Sequence, residues 1–392
     1  MGLPEQEAAV RLQKVRELLE KKNLDALLVY YDELHMANGW YLSGWCPQFE
    51  SGCVFVPREG EPMILGGPES EPFARTDSHI TKTRNVPVFM VPGEEYPNAR
   101  ISSFTEIFAE AGLSPGGRIG VVGFLKMPLG VYERLTAELQ GVTLVDVTSE
   151  YERFREIKSP WEEQQIRRAF AIAGEAFQAM EPLVKAGVKE VEVASAGEGK
   201  ARALGANWFA FQTIVASGER ANAVVPTASE KELKNGETVM LGLSPRFHGY
   251  AGVFGYTLVV GGTPNEAQRR CFRDLVEAYR ITRENLRPGV RGKDLDAPTR
   301  EFLVKRGYEK YLVCPFVHTI GLMEAEAPFF GPHSDDIVQP GMTVCIDVSV
   351  FSVPEVHGVR FESGYAITEW GAEPLSPFME GRILAMEEEP TS

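Results

Sequence analysis

The sequence has few cysteines and no pattern that would join them. The five are Cys46, Cys53, Cys271, Cys314 and Cys345, an odd number with no CxxC pair among them. This spacing argues against a disulfide framework and against a thiolate metal site, because both use paired or clustered cysteines. We expect all five to be reduced core residues.

Long apolar runs and an excess of positive charge are also missing. No run approaches the roughly 18 apolar residues of a transmembrane helix, so we predict no membrane segment. The segment Met1–Val10 lacks the basic start and apolar core of a signal peptide, which favours a cytoplasmic protein. The formal net charge of −15 disfavours nucleic acid and anionic lipid as partners, because both would be repelled.

The length of the chain favours two domains, because 392 residues exceed what one hydrophobic core usually organises. In the first part, apolar residues at helical spacing between Val10 and Leu19 precede a short buried strand at 25–31. Further strand patterns then alternate with helical segments. This alternation predicts an α/β domain over residues 1–152.

A different pattern begins after Tyr151. Ser159 and Pro160 fit the N-cap and the first position of a long amphipathic helix. The segments that follow predict two helix pairs, each packed against antiparallel strands, and so an α+β domain with internal pseudo-symmetry over 153–380. We expect residues 381–392 to form a tail, with Met386–Ser392 disordered.

Several segments of the second domain resemble, in order and spacing, the signature of the creatinase/prolidase/aminopeptidase P family. Each segment alone is a weak signal, but together they are specific, and the first domain adds two more. The resemblance implies a C-terminal pita-bread domain, a smaller creatinase-type N-terminal α/β domain and a homodimer. The segments are 25–29, 40–44, 155–160, 247–261, 318–321 and 340–362.

Peptidases of this family bind two divalent ions through two aspartates, one histidine and two glutamates, and the ions activate a bridging water. At the matching positions the two aspartates are replaced by Gly242 and Val253. The other three positions carry His318, Asp347 in place of a glutamate, and Glu362. The resemblance therefore implies a metal pocket that has lost part of its ligand set.

Two histidines that contact substrate in the family's peptidases are absent as well. One falls near Pro226–Thr227 and the other on Ala325. The combined loss of two carboxylates and two imidazoles is hard to reconcile with two-metal peptide hydrolysis.

The residues that remain favour a hydrolase acting without a dinuclear metal centre and without a cofactor. By its likeness to creatinase, such an enzyme would cleave a C–N bond in a small amino-acid-derived substrate. We assign proton transfer to His318, and we expect Asp347 and Glu362 to orient a water or hold a polar substrate group. Arg360 lies two residues before Glu362, so both would face the substrate from one side of a strand.

Further substrate contacts are expected from Tyr250, Tyr256 and Glu326, because polar groups around a pocket suit a small hydrogen-bonding substrate. In creatinase, a loop of the N-terminal domain reaches the active site of the partner subunit. The corresponding loop here carries Phe49 and Glu50 and no arginine. In a homodimer it would present a carboxylate, which would favour a cationic substrate group.

Two other functions stay open. One divalent ion held by His318, Asp347 and Glu362 would give an enzyme similar to an Xaa-Pro aminopeptidase or dipeptidase, although aspartate reaches one methylene less far than glutamate. A pseudopeptidase that keeps the fold for binding is the second, because fold alone does not decide function. His318 would then be a core histidine, and Arg360 with Glu362 a structural ion pair.

Overall fold

The computed structural model describes residues 2–113 and 116–386 and divides into two compact units, Met1–Arg155 and Glu156–Ser392. The division falls close to the predicted boundary between residues 152 and 153. The sequence predicts a tail over residues 381–392, but a helix continues to Ala385. Residues 387–392 lie outside the described part. Among the described residues, no helix combines the length and apolarity needed to cross a bilayer.

The first unit is an α/β structure built on a six-stranded sheet. The strands are β1 (Ala26–Tyr31), β2 (Gly52–Pro57), β3 (Met63–Gly66), β4 (Thr83–Asn85), β5 (Arg118–Val122) and β6 (Thr143–Asp146). The helices are α1 (Glu5–Lys22), α2 (Ala37–Ser43), α3 (Glu71–Asp77), α4 (Phe104–Glu110), α5 (Leu129–Glu138) and α6 (Thr148–Glu152). The strand order is β4-β3-β2-β1-β5-β6, with β1 antiparallel to β2 and parallel to β5.

The central strand β1 explains the apolar run that the sequence shows at 25–31. All six of its residues are buried, as expected for a strand with helices on both faces. Leu28 joins a core cluster with Phe55 and Phe108, whose ring centroids lie 5.0 Å apart. The predicted α/β class of this unit is confirmed.

The second unit is an α+β domain. Its helices are α7 (Pro160–Met180), α8 (Glu190–Ala203), α9 (Glu266–Asn285), α10 (Gly292–Lys305) and α11 (Pro377–Ala385). Its strands are β7 (Trp208–Phe209), β8 (Ile214–Ser217), β9 (Thr238–Leu243), β10 (Pro245–Phe247), β11 (Tyr250–Ala251), β12 (Phe254–Val259), β13 (Val317–Thr319), β14 (Glu326–Phe329), β15 (Thr343–Val353), β16 (His357–Thr368) and β17 (Gly371–Pro374).

Two helix pairs pack in this unit, α7 with α8 and α9 with α10, as the sequence predicts. The main sheet has the antiparallel order β14-β13-β15-β16-β12-β9-β8, with β17 pairing β16. A small second sheet has the order β11-β10-β7. The chain leaves the small sheet at Phe209 and enters the main sheet at Ile214, so β7 and β8 are separate strands.

Helix α7 begins as the sequence predicts. The Ser159 hydroxyl accepts a hydrogen bond from the backbone N–H of Glu162 at 3.2 Å, and the Glu162 carboxylate accepts one from the backbone N–H of Ser159 at 2.9 Å. Pro160 occupies the first turn, where no N–H is needed. This reciprocal cap fixes the start of the helix and is worth about 1 kcal/mol.

The two faces of the main sheet have different characters. Ile346, Val348 and Phe361 belong to the large core cluster on the face that helix α9 covers. Side chains alternate along a strand, so Asp347 and Glu362 lie on the opposite face. That opposite face is where the predicted catalytic residues meet.

Candidate functional site

The register of three antiparallel strand pairs assembles a cluster of polar side chains. His318 on β13 lies opposite Cys345 on β15, and Asp347 lies opposite Glu362 on β16. Glu362 in turn lies opposite Gly255 on β12. Directly opposed residues of antiparallel strands project to the same side, so all these positions share one face of the sheet.

His318 is buried, and its two ring nitrogens have different partners. Nδ1 lies 3.1 Å from the carbonyl oxygen of Thr319, which can only accept, so Nδ1 donates. Nε2 lies 3.6 Å from Glu362 Oε1 and 3.7 Å from Glu324 Oε1. Burial would lower the pKa of His318, but the charges of Glu324, Glu362 and Asp347 outweigh it and raise the pKa to about 9. The two carboxylates favour a cation, either a proton or a metal ion, at Nε2.

Glu362 is buried, and its Oε1 accepts no hydrogen bond from any residue within 2–113 or 116–386. Burial, followed by the charges of Asp347 and Glu324, raises the pKa of this carboxyl to about 8. A buried polar atom without a partner costs roughly 1–3 kcal/mol. Glu362 is therefore suited to hold a ligand or an ion that supplies the missing partner.

Asp347 is engaged by Arg360 on the neighbouring strand. The Arg360 Nε lies 3.2 Å from Asp347 Oδ1, and both residues are buried. Thr257 fixes the backbone of Arg360, accepting from its N–H at 2.9 Å and donating to its carbonyl at 3.1 Å. Burial would lower the pKa of Arg360, but the charges of Asp347 and Glu362 reverse this effect and raise it. Arg360, expected beside the substrate, thus contacts the carboxylate of Asp347.

Gly255 makes room for the Arg360 side chain. A Cβ atom on Gly255 would lie 2.5 Å from Arg360 Cδ and 2.9 Å from Glu362 Cβ, closer than real Cβ contacts come. Only glycine therefore fits beneath the guanidinium arm in this arrangement.

The positions of the two missing aspartates lie in apolar surroundings. A Cβ atom on Gly242 would lie 3.2 Å from Ile214 Cδ1, and Ile214 clusters with Met240 and Phe351. Val253 is fully buried. A ligand set for two ions does not fit these residues, because glycine and valine carry no ligand atom and a side chain added at position 242 would meet Ile214.

Three other side chains are candidate ligands for one ion. Donor atoms of His318, Cys345 and Glu362 all lie within 4.8 Å of one another. A tetrahedral zinc site holds N, S and O ligands at about 2.0–2.3 Å, which places them roughly 3.3–3.8 Å apart. The Thr319 carbonyl supplies the hydrogen bond to the remaining ring nitrogen that metal-bound histidines usually make.

The sequence-based ligand set therefore needs one correction. It used Asp347 as the third ligand, but that carboxylate is paired with Arg360, whereas Cys345 lies with His318 and Glu362. Cys345 was given no role because it has no CxxC partner in the sequence. All five cysteines are free thiols, as expected, and burial raises the pKa of the Cys345 thiol well above its usual value.

The two tyrosines expected to bind substrate do not join this cluster. Tyr256 follows Gly255 on β12 and points to the opposite face, where its ring packs on Phe361 and its hydroxyl donates to the Arg382 carbonyl at 3.2 Å. The Tyr250 hydroxyl donates to a helix α7 carboxylate, Glu162 Oε1, at 2.8 Å. Alternation along the strand accounts for the position of Tyr256.

Glu326 and Glu324 have different surroundings from those expected. Glu326 Oε1 accepts from the backbone N–H of Met323 at 2.7 Å, so it stabilises the turn that leads into β14. Glu324, which has no role in the sequence-based prediction, is a second carboxylate that faces His318, beside Glu362. Its position on an irregular turn gave no periodic signal that could have revealed this.

The two loop residues of the first unit differ in exposure. Phe49 is 90% exposed and has a left-handed backbone, with φ of 62°. The Glu50 carboxylate is buried and accepts from the backbone N–H of Ser70 at 2.8 Å and of Glu69 at 3.3 Å. Glu50 therefore stabilises its own loop, and this placement does not support the predicted recognition of a cationic group.

Comparison with known proteins agrees with the fold. Residues 164–369 match the model of metallopeptidase family M24, and residues 11–157 match the creatinase/prolidase N-terminal domain. An uncharacterized peptidase, YqhT of Bacillus subtilis, is 28% identical over 369 residues, 94% of this chain and 98% of that protein. A Pyrococcus horikoshii protein described as an Xaa-Pro dipeptidase is 28% identical over 368 residues, 93% of this chain and 96% of that protein.

Solved structures show the same likeness. The structure of the prolidase from Pyrococcus horikoshii OT3 aligns with a TM-score of 0.79 at 26% identity, over 93% of this chain and 97% of that chain. The prolidase from Pyrococcus furiosus aligns with a TM-score of 0.77 at 26% identity, over 92% of this chain and 98% of that chain. The chain therefore belongs to metallopeptidase family M24, in the creatinase/prolidase group of hydrolases, and its second unit has the pita-bread fold.

Proposed function

We propose that this protein hydrolyses the C–N bond of a small peptide, as an Xaa-Pro dipeptidase-like enzyme that uses one divalent ion. The observation that carries the proposal is the convergence of His318, Cys345 and Glu362, where Glu362 Oε1 accepts no hydrogen bond from the described residues. Similarity to proteins described as Xaa-Pro dipeptidases supports the substrate class. The proposal replaces the metal-free, creatinase-like reaction that the sequence favours.

The donor set indicates which ion suits the site. A nitrogen, a thiolate sulfur and a carboxylate oxygen match the preferences of Zn²⁺, and three protein ligands leave a position open, as in catalytic zinc sites. A bound ion would act as a Lewis acid and lower the pKa of a water molecule. Two-ion chemistry is not part of the proposal, because Gly242 and Val253 provide no ligands.

The remaining polar residues would position the substrate and move protons. Glu324 lies beside His318 at the edge of the cluster and is partly exposed, so it can accept a proton from a water and return it to a leaving amine. Arg360 holds Asp347 and keeps one positive charge beside three carboxylates. This charge would stabilise an oxyanion that develops during attack on an amide carbonyl.

A metal-free reaction is the second candidate, and one observation favours it. Two carboxylates already surround His318 Nε2, and the pKa of His318 is raised to about 9, so a proton can occupy the place of the ion. His318 would then act as a general acid, as the creatinase-like prediction requires. Asp347 and Glu362 would keep the roles that the sequence assigned to them.

Xaa-Pro dipeptide hydrolysis tests the proposal against this second candidate and against a pseudopeptidase. We expect the Zn²⁺-loaded protein to hydrolyse such dipeptides, to lose activity on chelation and to regain it on readdition of Zn²⁺. Cys345→Ala should lose activity, whereas Cys271→Ala, a matched substitution of an equally buried cysteine on α9, should retain it. Activity that survives chelation and Cys345→Ala would support the metal-free reaction, and no hydrolysis under any condition would support a pseudopeptidase.

A homodimer and a cytoplasmic location remain predictions. The exposure of Phe49 is compatible with a loop that meets a partner subunit. Light scattering of the wild type and of Phe49→Ser would test the dimer, and an unchanged monomeric mass in both would contradict it.

A further inference from the structure

A polar cleft in the first unit, remote in sequence from the cluster around His318, has the features of a ligand site. It has a volume of about 540 Å³, within the usual range for small-molecule sites. Strand β4, helix α3 and the segment 98–100 line it. Strand β4 is at one edge of the sheet, and residue Asn85 bridges in parallel to Ile101, which closes that edge.

The lining is cationic in a protein whose net charge is −15. Its four basic residues are Arg75, Lys82, Arg84 and Arg100, and its one acidic residue is Glu71. Such a concentration of positive charge is unexpected in an acidic protein, because cations scattered over its surface would be outnumbered by the surrounding carboxylates.

Existing ion pairs neutralise only part of this charge. Arg75 is 2.7 Å from Glu71, and Glu110 is shared by Arg84 at 2.8 Å and Lys82 at 3.2 Å. Arg100 makes no ion pair with any residue that the structure describes, although the charge of Glu106 is near enough to interact with it. The cleft therefore keeps a positive charge that an anion can neutralise.

Asn85 adds an acceptor at the base of the cleft. Its Nδ2 donates to the Arg100 carbonyl at 3.4 Å, which fixes the amide orientation. Its Oδ1 is buried and accepts no hydrogen bond from the described residues. A hydroxyl on the ligand would supply the missing donor.

We propose that this cleft binds a small phosphate monoester that carries hydroxyl groups, such as a sugar phosphate or a nucleoside monophosphate. Guanidinium groups bind phosphate oxygens through paired hydrogen bonds, and Arg100 is the lining guanidinium that has no ion pair among the described residues. Arg84 and Lys82, which share Glu110, add positive charge to the cleft. The neighbouring hydroxyl of the ester reaches toward Asn85. No residue of the cluster around His318 takes part.

Calorimetric titration of the full chain with AMP, ribose 5-phosphate and inorganic phosphate tests this site. We expect one saturable site for both esters, with inorganic phosphate binding more weakly. Arg100→Gln should weaken ester binding by at least about tenfold, which is the loss of one charge-assisted hydrogen bond. The control Lys21→Gln removes an exposed cation of helix α1 and should leave binding unchanged.

Arg100 is exposed, so its substitution leaves the core intact and a loss of ester binding does not reflect unfolding. Lys82→Gln provides a second variant and should weaken ester binding in the same direction. Saturable ester binding that falls in both variants and stays unchanged in Lys21→Gln establishes the site. Absence of saturable binding by all three probes, or equal binding by Arg100→Gln and the control, overturns the proposal.

Discussion

Removing the Arg360 guanidinium tests whether Asp347 belongs to an ion pair or to a metal site. Arg360→Met keeps an unbranched arm above Gly255 but leaves the Asp347 carboxylate without its partner. Asp347 is 7% exposed and Arg360 is 5% exposed, so water cannot replace the lost contact. The charges of Glu362 and Glu324 would then act on Asp347 with only His318 left to offset them.

The expected cost follows from this burial. Breaking a buried ion pair by removing one partner costs about 3–5 kcal/mol. We expect a loss at the lower end of this range, about 3 kcal/mol. For a domain of this size each kcal/mol lowers Tm by about 2–4 °C, which gives a decrease of about 6–12 °C. Adding Asp347→Asn to Arg360→Met should recover most of this loss, because no unpaired charge remains.

Circular dichroism melts of the wild type, both single variants and the double variant measure the coupling. Metal content of the same four proteins, measured in parallel, separates the two roles of Asp347. We expect Asp347→Asn to retain its ion, because Cys345 and not Asp347 lies with His318 and Glu362. The reasoning is refuted if Arg360→Met costs less than about 1 kcal/mol, or if Asp347→Asn alone removes the ion.

Three further substitutions test the space and the local structure around the site. Gly255→Ala should lower the free energy of unfolding in urea by about 1–3 kcal/mol and reduce dipeptide hydrolysis, because the added Cβ displaces the side chains of Arg360 and Glu362. The control Gly199→Ala on helix α8, where the added Cβ meets open space, should stabilise the protein slightly. Gly242→Asp should lower Tm without raising the metal content, because its side chain meets Ile214, and adding Ile214→Ala should restore part of the Tm. Ser159→Ala should cost about 1 kcal/mol in urea unfolding with dipeptide hydrolysis unchanged, and no loss of stability would contradict the observed cap.

The family, both fold classes and the start of helix α7 follow from the sequence, because they rest on local signals. Each motif, the strand periodicity and the pattern at Ser159 and Pro160 are recognised within a few residues, and the order of the motifs along the chain adds the specificity. The sequence also predicts His318 and Glu362 as site residues, since they lie within motifs. Their shared position on one face agrees with the registers that the structure shows.

The parts of the site that the sequence misplaced depend on contacts between distant segments. Cys345 becomes a candidate ligand only because the strand register places it opposite His318. Glu324 reaches His318 only because of the conformation of the turn before β14. Tyr256 is the exception, because its alternation with Gly255 was visible and would have placed it on the core face. The burial of Glu50 against the N–H of Ser70 depends on a loop that carries no periodic pattern.

Metal stoichiometry tests the central claim most directly. The purified full-length protein, equilibrated with Zn²⁺ and freed of excess, is analysed by inductively coupled plasma mass spectrometry beside Cys345→Ala and the matched Cys271→Ala. We expect one ion per chain in the wild type and in Cys271→Ala, and a loss of the ion in Cys345→Ala. Two ions per chain, or one ion that remains in Cys345→Ala, would contradict a single site formed by His318, Cys345 and Glu362.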